Sequence, residues 1–251
     1  MRRFSLLLFF ALSLFMKATA QVGEYRSEFA IGGGAGMVMS QVGFMPEVPQ
    51  LQHQGLIGGL AFRYTSEKYF NSICAVTAEV NYARVGWKED ILTPEDEPVI
   101  NPVTGEAEQY ERTLGYIQVP VLARLGWGRE RSGVQAFFQV GPQVGFFLTS
   151  DVKKNYDYVS RNVKSRTSKV VNQEIMPIEK KVDYGIAGGI GVEFSQLDMG
   201  HIIVEGRYYY GLGDLYGNSK RDYFGRSNLT NIVVKLTYLF DLKKTNNPKI
   251  K

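Results

Sequence analysis

The chain has little of the side-chain chemistry on which most enzymes and disulfide-rich secreted proteins depend. Cys74 is the only cysteine among 251 residues, so no intramolecular disulfide can form. His53 and His201 are the only histidines, and no Cys/His group has the spacing of a metal site. Imidazole-based catalysis and a structural metal site are therefore disfavoured, and we expect no cofactor.

Long apolar runs are also missing, except at the start of the chain. The segment 1–20, MRRFSLLLFFALSLFMKATA, has two arginines, a short apolar stretch and a small-residue A-T-A end. This order predicts a secretory signal peptide cut before Gln21. An uncleaved anchor is the alternative, but the apolar stretch is too short to cross ~30 Å of hydrocarbon. No later segment reaches 18 continuous apolar residues, which disfavours a helical membrane protein over 21–251.

The net charge gives little indication of a partner. The full chain has 29 Lys+Arg and 25 Asp+Glu, and three of the basic residues lie in the predicted signal peptide. The mature chain would therefore carry 26 basic and 25 acidic residues. This near balance gives no support to nucleic-acid binding.

What the chain does have is segments in which polar and apolar residues alternate, so that each kind occupies every second position. In 133–150, GVQAFFQVGPQVGFFLTS, the three glutamines share one parity, and valine, phenylalanine and leucine occupy the other. Such segments are rich in aromatic and β-branched residues, and no segment of helical period with capping signals lies between them. The sequence therefore predicts an all-β fold with eight strands: Glu28–Ser40, Leu56–Thr65, Ile73–Trp87, Tyr116–Trp127, Gly133–Thr149, Val182–Phe194, Ile202–Leu212 and Leu229–Asp241.

The connections between these segments alternate in length. They are short after the second, fourth and sixth segments, and span about 15, 28, 32 and 16 residues after the others. Long outer loops and tight periplasmic turns are typical of a transmembrane barrel of the bacterial outer membrane. We therefore predict an eight-stranded antiparallel up-and-down transmembrane β-barrel over 21–251. A soluble barrel of lipocalin type is the alternative.

The polar parity favours the membrane barrel, because a lipocalin-like interior would be mainly apolar. That parity is rich in glycine and alanine, and it carries both charge signs: Glu79, Asp183, Glu193 and Glu205 against Arg63, Arg124, Arg207 and Lys235. A permeation path is one interpretation of these charges. A structural network is favoured, since the interior of eight strands is only wide enough for side chains to fill.

Aromatic residues on the apolar parity collect at the strand ends, as expected of girdles at the two membrane interfaces. Up-and-down order predicts a periplasmic belt of Phe29, Tyr64, Trp127, Phe194, Tyr238 and Phe240. It predicts an outer belt of Tyr82, Phe146, Tyr184, Tyr208 and Tyr210. Pro142 lies on the lipid parity and cannot donate to the sheet, so we expect a bulge or a locally broken ladder there.

Four stretches resemble the PorT-like outer-membrane β-barrel proteins of Bacteroidetes, a family of small barrels comparable to OmpX and OmpA. They are YIQVPVLARLGW (116–127), QVGPQVGFFL (139–148), VDYGIAGGIGVEF (182–194) and VEGRYYYGLGDL (204–215). The closing NIVVKLTYLF is similar to the aromatic-ended final strand of such barrels. The resemblance implies a non-enzymatic protein of the cell outer membrane. It also raises a role in type IX protein secretion with a protein partner, although the matching residues are strand residues.

Two other motifs invite an enzymatic or nucleotide-binding interpretation. The glycine-rich IGGGAGM (31–37) and AGGIGVEF (187–194) are not followed by a helix, as a nucleotide-binding turn requires. Ser195, Asp198 and His201 are close enough in sequence to suggest a nucleophile set. They lie in or beside a predicted tight periplasmic turn, so a solvated turn is the preferred interpretation.

The predicted outer loops differ sharply in charge. From 86 to 113 eight acids accompany two bases, and from 150 to 181 eight bases accompany four acids. One interpretation is that the loops are solvated and attract each other, and it is favoured because exposed ion pairs add little energy. The second is that the loops have a function. In the second case a basic loop would bind lipopolysaccharide phosphates or an acidic partner through Lys153, Lys154, Arg161, Lys164, Arg166 and Lys169. The predicted role is structural or interactive, and a small porin or transport protein is the alternative.

Overall fold

The structure, a computed structural model, describes residues 24–196, 199–217 and 223–245. The predicted signal peptide and Asp198 lie outside the described residues. Within these ranges, no helix has the length and apolar character needed to cross a bilayer.

Eight long strands and one two-residue strand account for most of the described chain. Their bounds are β1 (Glu24–Met45), β2 (Gln50–Leu51), β3 (His53–Tyr69), β4 (Ser72–Glu89), β5 (Tyr110–Gly128), β6 (Gly133–Lys154), β7 (Val182–Gln196), β8 (Gly200–Asp214) and β9 (Arg226–Lys243). A 3₁₀ turn, Val163–Ser165, and the single-turn helix α1, Asn172–Ile175, lie between β6 and β7. All eight predicted strands are confirmed.

The long strands form a closed ring. Each long strand pairs antiparallel with its neighbour in sequence, β1 also pairs with β9, and the pairing of β4 with β5 continues the ring on that side. The short β2 adds to the outer end of β4. This is the predicted up-and-down barrel, in which no long strand keeps a wholly unpaired edge.

At the outer end of the barrel, the strands extend beyond the segments of alternating apolar and polar residues from which they were predicted. The connections at one end are consequently shorter than expected: loop 1 is 46–52, loop 2 is 90–109, loop 3 is 155–181 and loop 4 is 215–225. Polar cross-strand pairs carry the sheet outward, for example Glu111 with Lys88 and with Lys153. Opposite charges facing each other across a ladder stabilise it without any apolar pattern.

Proline interrupts the ladder as predicted, although no bulge forms. Pro120 pairs with Gln143 and Ala123 with Val140, so the register of β5 against β6 does not shift. The two intervening pairs, which include Pro142, are absent from the ladder. On the other side Pro142 stays in register with Ile186 of β7.

The outward face of the barrel is apolar and carries both predicted aromatic belts. The residues of the outer belt are exposed, and so are those of the periplasmic belt except Phe29, which is half-buried. Between the belts the outward positions are mostly valine, leucine and isoleucine. This surface meets hydrocarbon at low cost, while the polar parity faces inward.

Candidate functional site

The lumen contains a lower ion network centred on Glu193. Its carboxylate accepts a hydrogen bond from Arg63 at 2.7 Å, pairs with Arg124, and lies 2.7 Å from Nδ1 of His201. The Arg124 guanidinium also lies over the ring of Phe137, 3.6 Å from its centroid. One carboxylate thus holds two guanidinium groups and an imidazole away from water, as the predicted structural network requires.

A second ion network crosses the middle of the lumen. Arg207 donates to Glu79 at 2.8 and 3.0 Å and to Glu205 at 2.5 Å, and Lys235 donates to Glu79 at 2.9 Å. Above it Asp183 has no cation among its hydrogen-bond partners in the described chain and accepts from the hydroxyl of Tyr209 at 2.6 Å. All eight predicted luminal charges are buried, and all except Asp183 are ion-paired.

The periplasmic mouth is closed by the turn between β5 and β6. Glu130 of that turn pairs with Arg26 and, at 2.8 Å, with Lys68, while Arg131 lies 3.5 Å from Glu28. These contacts fasten the turn to the beginning of β1 and the end of β3. A small cavity of about 30 Å³ remains between this turn and the lower ion network.

Ser195 and His201 do come together at this mouth, next to Asp241, while the predicted Asp198 lies outside the described residues. Ser195 Oγ lies 2.8 Å from His201 Nδ1, and His201 Nε2 lies 2.9 Å from Asp241. Glu193 is 2.7 Å from the same Nδ1 and accepts from the serine hydroxyl at 3.2 Å. A histidine held between two carboxylates is suited to carry charge, and a general base must be neutral to accept the serine proton. The arrangement therefore fits the ion network better than nucleophilic catalysis.

The outer third of the lumen is apolar. Strand residues such as Val38, Val85, Trp87 and Leu114 form one buried cluster with side chains from all four loops. The loop contributions are Val48, Ile91, Val99, Tyr156, Ile178, Leu215, Tyr216 and Phe224. Phe44 packs on Trp87 and Phe224 with ring centroids 5.3 and 5.0 Å apart. We call this cluster the outer plug.

Loops 2 and 3 fold against each other above the plug, and we call this pair of loops the outer cap. Asn101 Nδ2 donates to the carbonyl of Ser160 at 3.1 Å, and the Thr167 amide donates to the carbonyl of Leu92 at 2.8 Å. Arg112 of β5 donates at 2.7 Å to the carbonyl of Met176, just after α1. Loops of this length are usually either functional or disordered. Here they form a hydrogen-bonded unit.

A buried ion network joins the two loops of the cap. Arg166 pairs with Glu108 of loop 2 at 2.7 Å and with Glu174 of α1 at 2.6 Å, and Arg161 pairs with Glu174 at 3.0 Å. Arg166, Glu108 and Glu174 are all buried. Part of the acidic charge of loop 2 and of the basic charge of loop 3 is therefore paired between the two loops, as expected if the loops attract each other.

Glu89 lies beside this network at the outer end of β4, well beyond Tyr82 of the outer belt and so outside the bilayer. Burial, followed by the charge of Glu174, raises the pKa of Glu89 from 4.5 to about 8. Its carboxyl accepts a hydrogen bond from Gln173 at 2.9 Å. Burial also raises the pKa of the nearby Tyr156 phenol. The closed cap therefore holds Glu89 protonated at neutral pH.

The six predicted interaction residues have different surroundings. Arg166 is buried and Arg161 half-buried in the ion network. The Lys154 ammonium lies 3.6 Å from the ring centroid of Tyr158, and that of Lys169 donates to three backbone carbonyls. Lys153 and Lys164 are exposed. No group of side chains able to hold a metal ion occurs in the part of the chain that the structure describes.

A family model described as an outer membrane protein beta-barrel domain matches residues 19–217. The chain belongs to the outer-membrane protein β-barrel family. Membership places this barrel in the cell outer membrane, with loops 1–4 outside and the three tight turns in the periplasm. No curated protein sequence is significantly similar to the chain.

Several solved structures resemble this outer-membrane barrel at low identity. Ail, the attachment invasion locus protein of Yersinia pestis, is 13% identical, with 86% of this chain and 99% of that chain covered and a TM-score of 0.36. OprG of Pseudomonas aeruginosa is 12% identical, with 87% and 98% covered and a TM-score of 0.38. Neisserial surface protein A is 11% identical, with 84% and 97% covered and a TM-score of 0.39. Similarity this distant carries no conclusion about what this barrel binds.

Sequence reasoning missed three features of the barrel that bear on function. It did not place Glu89 and Glu174 together, because β4 and α1 are far apart in sequence. It also did not find the partnership of Asp241 with His201, for the same reason. The four-loop plug had one signal, since apolar residues such as Val99 and Phe224 occur inside otherwise polar loops.

Proposed function

We propose that this outer-membrane barrel is a closed, non-enzymatic protein with a structural and interactive role at the cell surface. The observation that supports this most is the filling of the lumen. Two ion networks and the outer plug follow one another from the fastened periplasmic turn to the folded cap. A chain that orders its loops over a filled barrel presents a surface and does not hold a path open.

The alternative function, a small porin or transport protein, is separated from this one by conductance. We expect the purified protein to give no steady ion current in planar bilayers. Removing the cap by changing Arg166 to Gln should not open a path either, because the two ion networks lie below it. A steady conducting state of the unmodified protein would contradict the proposal and favour the porin.

We also propose that the exposed basic residues at the outer end of β6 and in loop 3 contact outer-leaflet lipid, including lipopolysaccharide. In the predicted set, Lys153 and Lys164 have exposed side chains with neither an ion pair nor a side-chain hydrogen bond among the described residues, whereas the exposed Lys169 donates to three backbone carbonyls. The variant Lys153→Gln/Lys164→Gln should fold normally and bind lipopolysaccharide vesicles more weakly at low salt than the unmodified protein. Equal binding by the two proteins would remove this part of the proposal.

We further propose that the chain is one of the PorT-like proteins of Bacteroidetes and has a protein partner in type IX secretion. It is supported by the four strand motifs quoted above and by a rigid cap on which a partner could dock. Chemical cross-linking in native outer membranes, followed by purification of the barrel, tests it. Recovery of a secretion component, lost when the cap is opened by Arg166→Gln, is the expected result. Recovery of lipid alone would contradict the partnership.

A further inference from the structure

Arg84 is an unusual residue for the outward face of a membrane barrel. It lies on the lipid-facing parity of β4, two positions beyond Tyr82 of the outer belt, and its side chain is exposed. Two residues of a tilted strand advance it roughly 5 Å past that belt. This is the depth at which the charged headgroups of the outer leaflet lie.

One of the two neighbouring strands has no side chain beside Arg84. Gly115 of β5 is its cross-strand partner. On the β3 side, the pairing of Ile57 with Ala83 places Leu56 next to Arg84, and the Leu56 side chain is exposed on the outward face. The gap beside Arg84 in the outward face is therefore the one above Gly115 of β5.

Two hydroxyl groups point into the same gap. A Cβ placed on Gly115 would lie 2.5 Å from Oγ1 of Thr149 and 2.9 Å from the hydroxyl oxygen of Tyr82. Both side chains are exposed on the outward face. Within the described residues, neither hydroxyl has a hydrogen-bond partner and Arg84 has no ion pair. Two unused hydroxyl donors therefore share the space above Gly115, and Arg84 is the residue beside it on β4.

The charged groups nearby leave the site positive. Glu111 lies farther out on β5, where its carboxylate is 3.4 Å from Nε2 of His53 and faces Lys153 and Lys88 across the sheet. Asp151 is the other acid on this face, and it faces Thr113, one outward pair beyond Gly115. Glu111 is thus engaged with His53, and three bases, Arg84, Lys88 and Lys153, outnumber the two acids Glu111 and Asp151 around the site.

We propose that Arg84, Tyr82 and Thr149 form a binding site for a phosphate group of an outer-leaflet lipid, such as the phosphates of lipid A. A planar guanidinium can bind two phosphate oxygens at once, and hydroxyl donors can satisfy the third. The depth of the site selects a phosphate carried by a lipid over one free in solution. The site adds defined residues to the lipid contact proposed above, and it does not require the protein partner.

The test is a titration of the intact barrel, held in nanodiscs of zwitterionic lipid, with lipid A and with lipid A lacking its phosphates. We expect Arg84→Gln to weaken binding of the phosphorylated lipid about tenfold, the usual scale of one charge-assisted contact. Arg129→Gln is the matched control, since it makes the same change at an exposed arginine in a periplasmic turn. It should leave the affinity unchanged.

A second pair of variants tests the gap itself. Gly115→Ala would push both hydroxyls aside without meeting backbone, so the barrel should fold and the affinity should fall severalfold. Gly206→Ala, also on the outward face, places its methyl group in open space and should change nothing.

Unchanged affinity in both Arg84→Gln and Gly115→Ala would overturn the proposal. Equal binding of the lipid without phosphates would also overturn it. Full competition by an equal concentration of inorganic phosphate would overturn the claim that the bound phosphate belongs to a lipid. Loss of binding in Lys153→Gln/Lys164→Gln alone would keep the loop contact proposed above and reject this site.

Discussion

The lumen of this barrel is filled in two different ways. Its periplasmic two thirds contain ion pairs contributed almost entirely by strand residues, with Glu193 and Glu79 at their centres. Its outer third contains apolar side chains, and all four loops complete that packing. The lower part is therefore built by the sheet alone, whereas the outer part exists only when the loops fold. Stability of the barrel and stability of the cap should respond to different substitutions.

The largest effect is expected from Glu193→Gln. The change leaves Arg63, Arg124 and His201 buried without their shared carboxylate. Removing one partner of a buried ion pair typically costs about 3–5 kcal/mol, so the whole barrel should lose that much unfolding free energy. Urea unfolding in lipid vesicles measures it, with the exposed Glu106→Gln as control. A loss below about 1 kcal/mol would show that the network is solvated.

Arg166→Gln should act on the cap alone. It leaves Glu108 and Glu174 buried and unpaired, which should lower the free energy of cap opening by about 3 kcal/mol. Limited proteolysis should then cut loops 2 and 3 while the barrel keeps its heat-modifiable gel mobility. Loss of the folded barrel band would contradict the independence of the two parts.

Glu89 gives the cap a pH dependence of its own. Its pKa is raised to about 8 in the closed cap against an ordinary 4.5, so its contribution to cap stability is fully present below about pH 4.5. That contribution is lost as the pH rises toward 8, because the open cap releases the proton first. Protease cleavage of loop 3 should accelerate over this interval. In Glu89→Gln the rate should be flat, and an unchanged pH profile in that variant would reject the assignment.

The smallest effect is expected from Ser195→Ala. His201 keeps both carboxylates after the hydroxyl is removed, so the cost should be about 1 kcal/mol of unfolding free energy. The unmodified protein should also fail to react with a fluorophosphonate probe for nucleophilic serines. Covalent labelling of Ser195 would contradict the structural interpretation of this group.

The strands could be predicted from the sequence because each one contains its own pattern of alternating apolar and polar residues. In β7 nearly every second residue is apolar and exposed on the outward face, and the residues between them are mostly buried in the lumen. Pro142 similarly predicts its own interruption of the ladder. The same local rule began β5 too late and ended β6 too early, since pairs such as Glu111 with Lys153 extend the sheet without apolar alternation.

The cap could not be predicted from the sequence, because its contacts join segments that share no sequence pattern. Arg166 resembles any other base of loop 3, and only the folded chain brings Glu108 and Glu174 to it. The opposite loop charges did indicate attraction, but could not distinguish a buried pair from a solvated one. Arg84 was overlooked for a related reason, since its significance depends on its depth in the membrane and on Gly115 beside it.

Hydrogen exchange of the barrel in lipid nanodiscs tests most directly whether the loops form a folded cap over a filled lumen. The amides of Val99, Glu108 and Thr167 are hydrogen-bonded within the cap, to Ile91, Val99 and Leu92. The account predicts that they exchange slowly at pH 6, at least a hundredfold slower than the exposed turn at Glu95, and faster in Arg166→Gln. Exchange of the Val99, Glu108 and Thr167 amides at the rate of a free chain would contradict it.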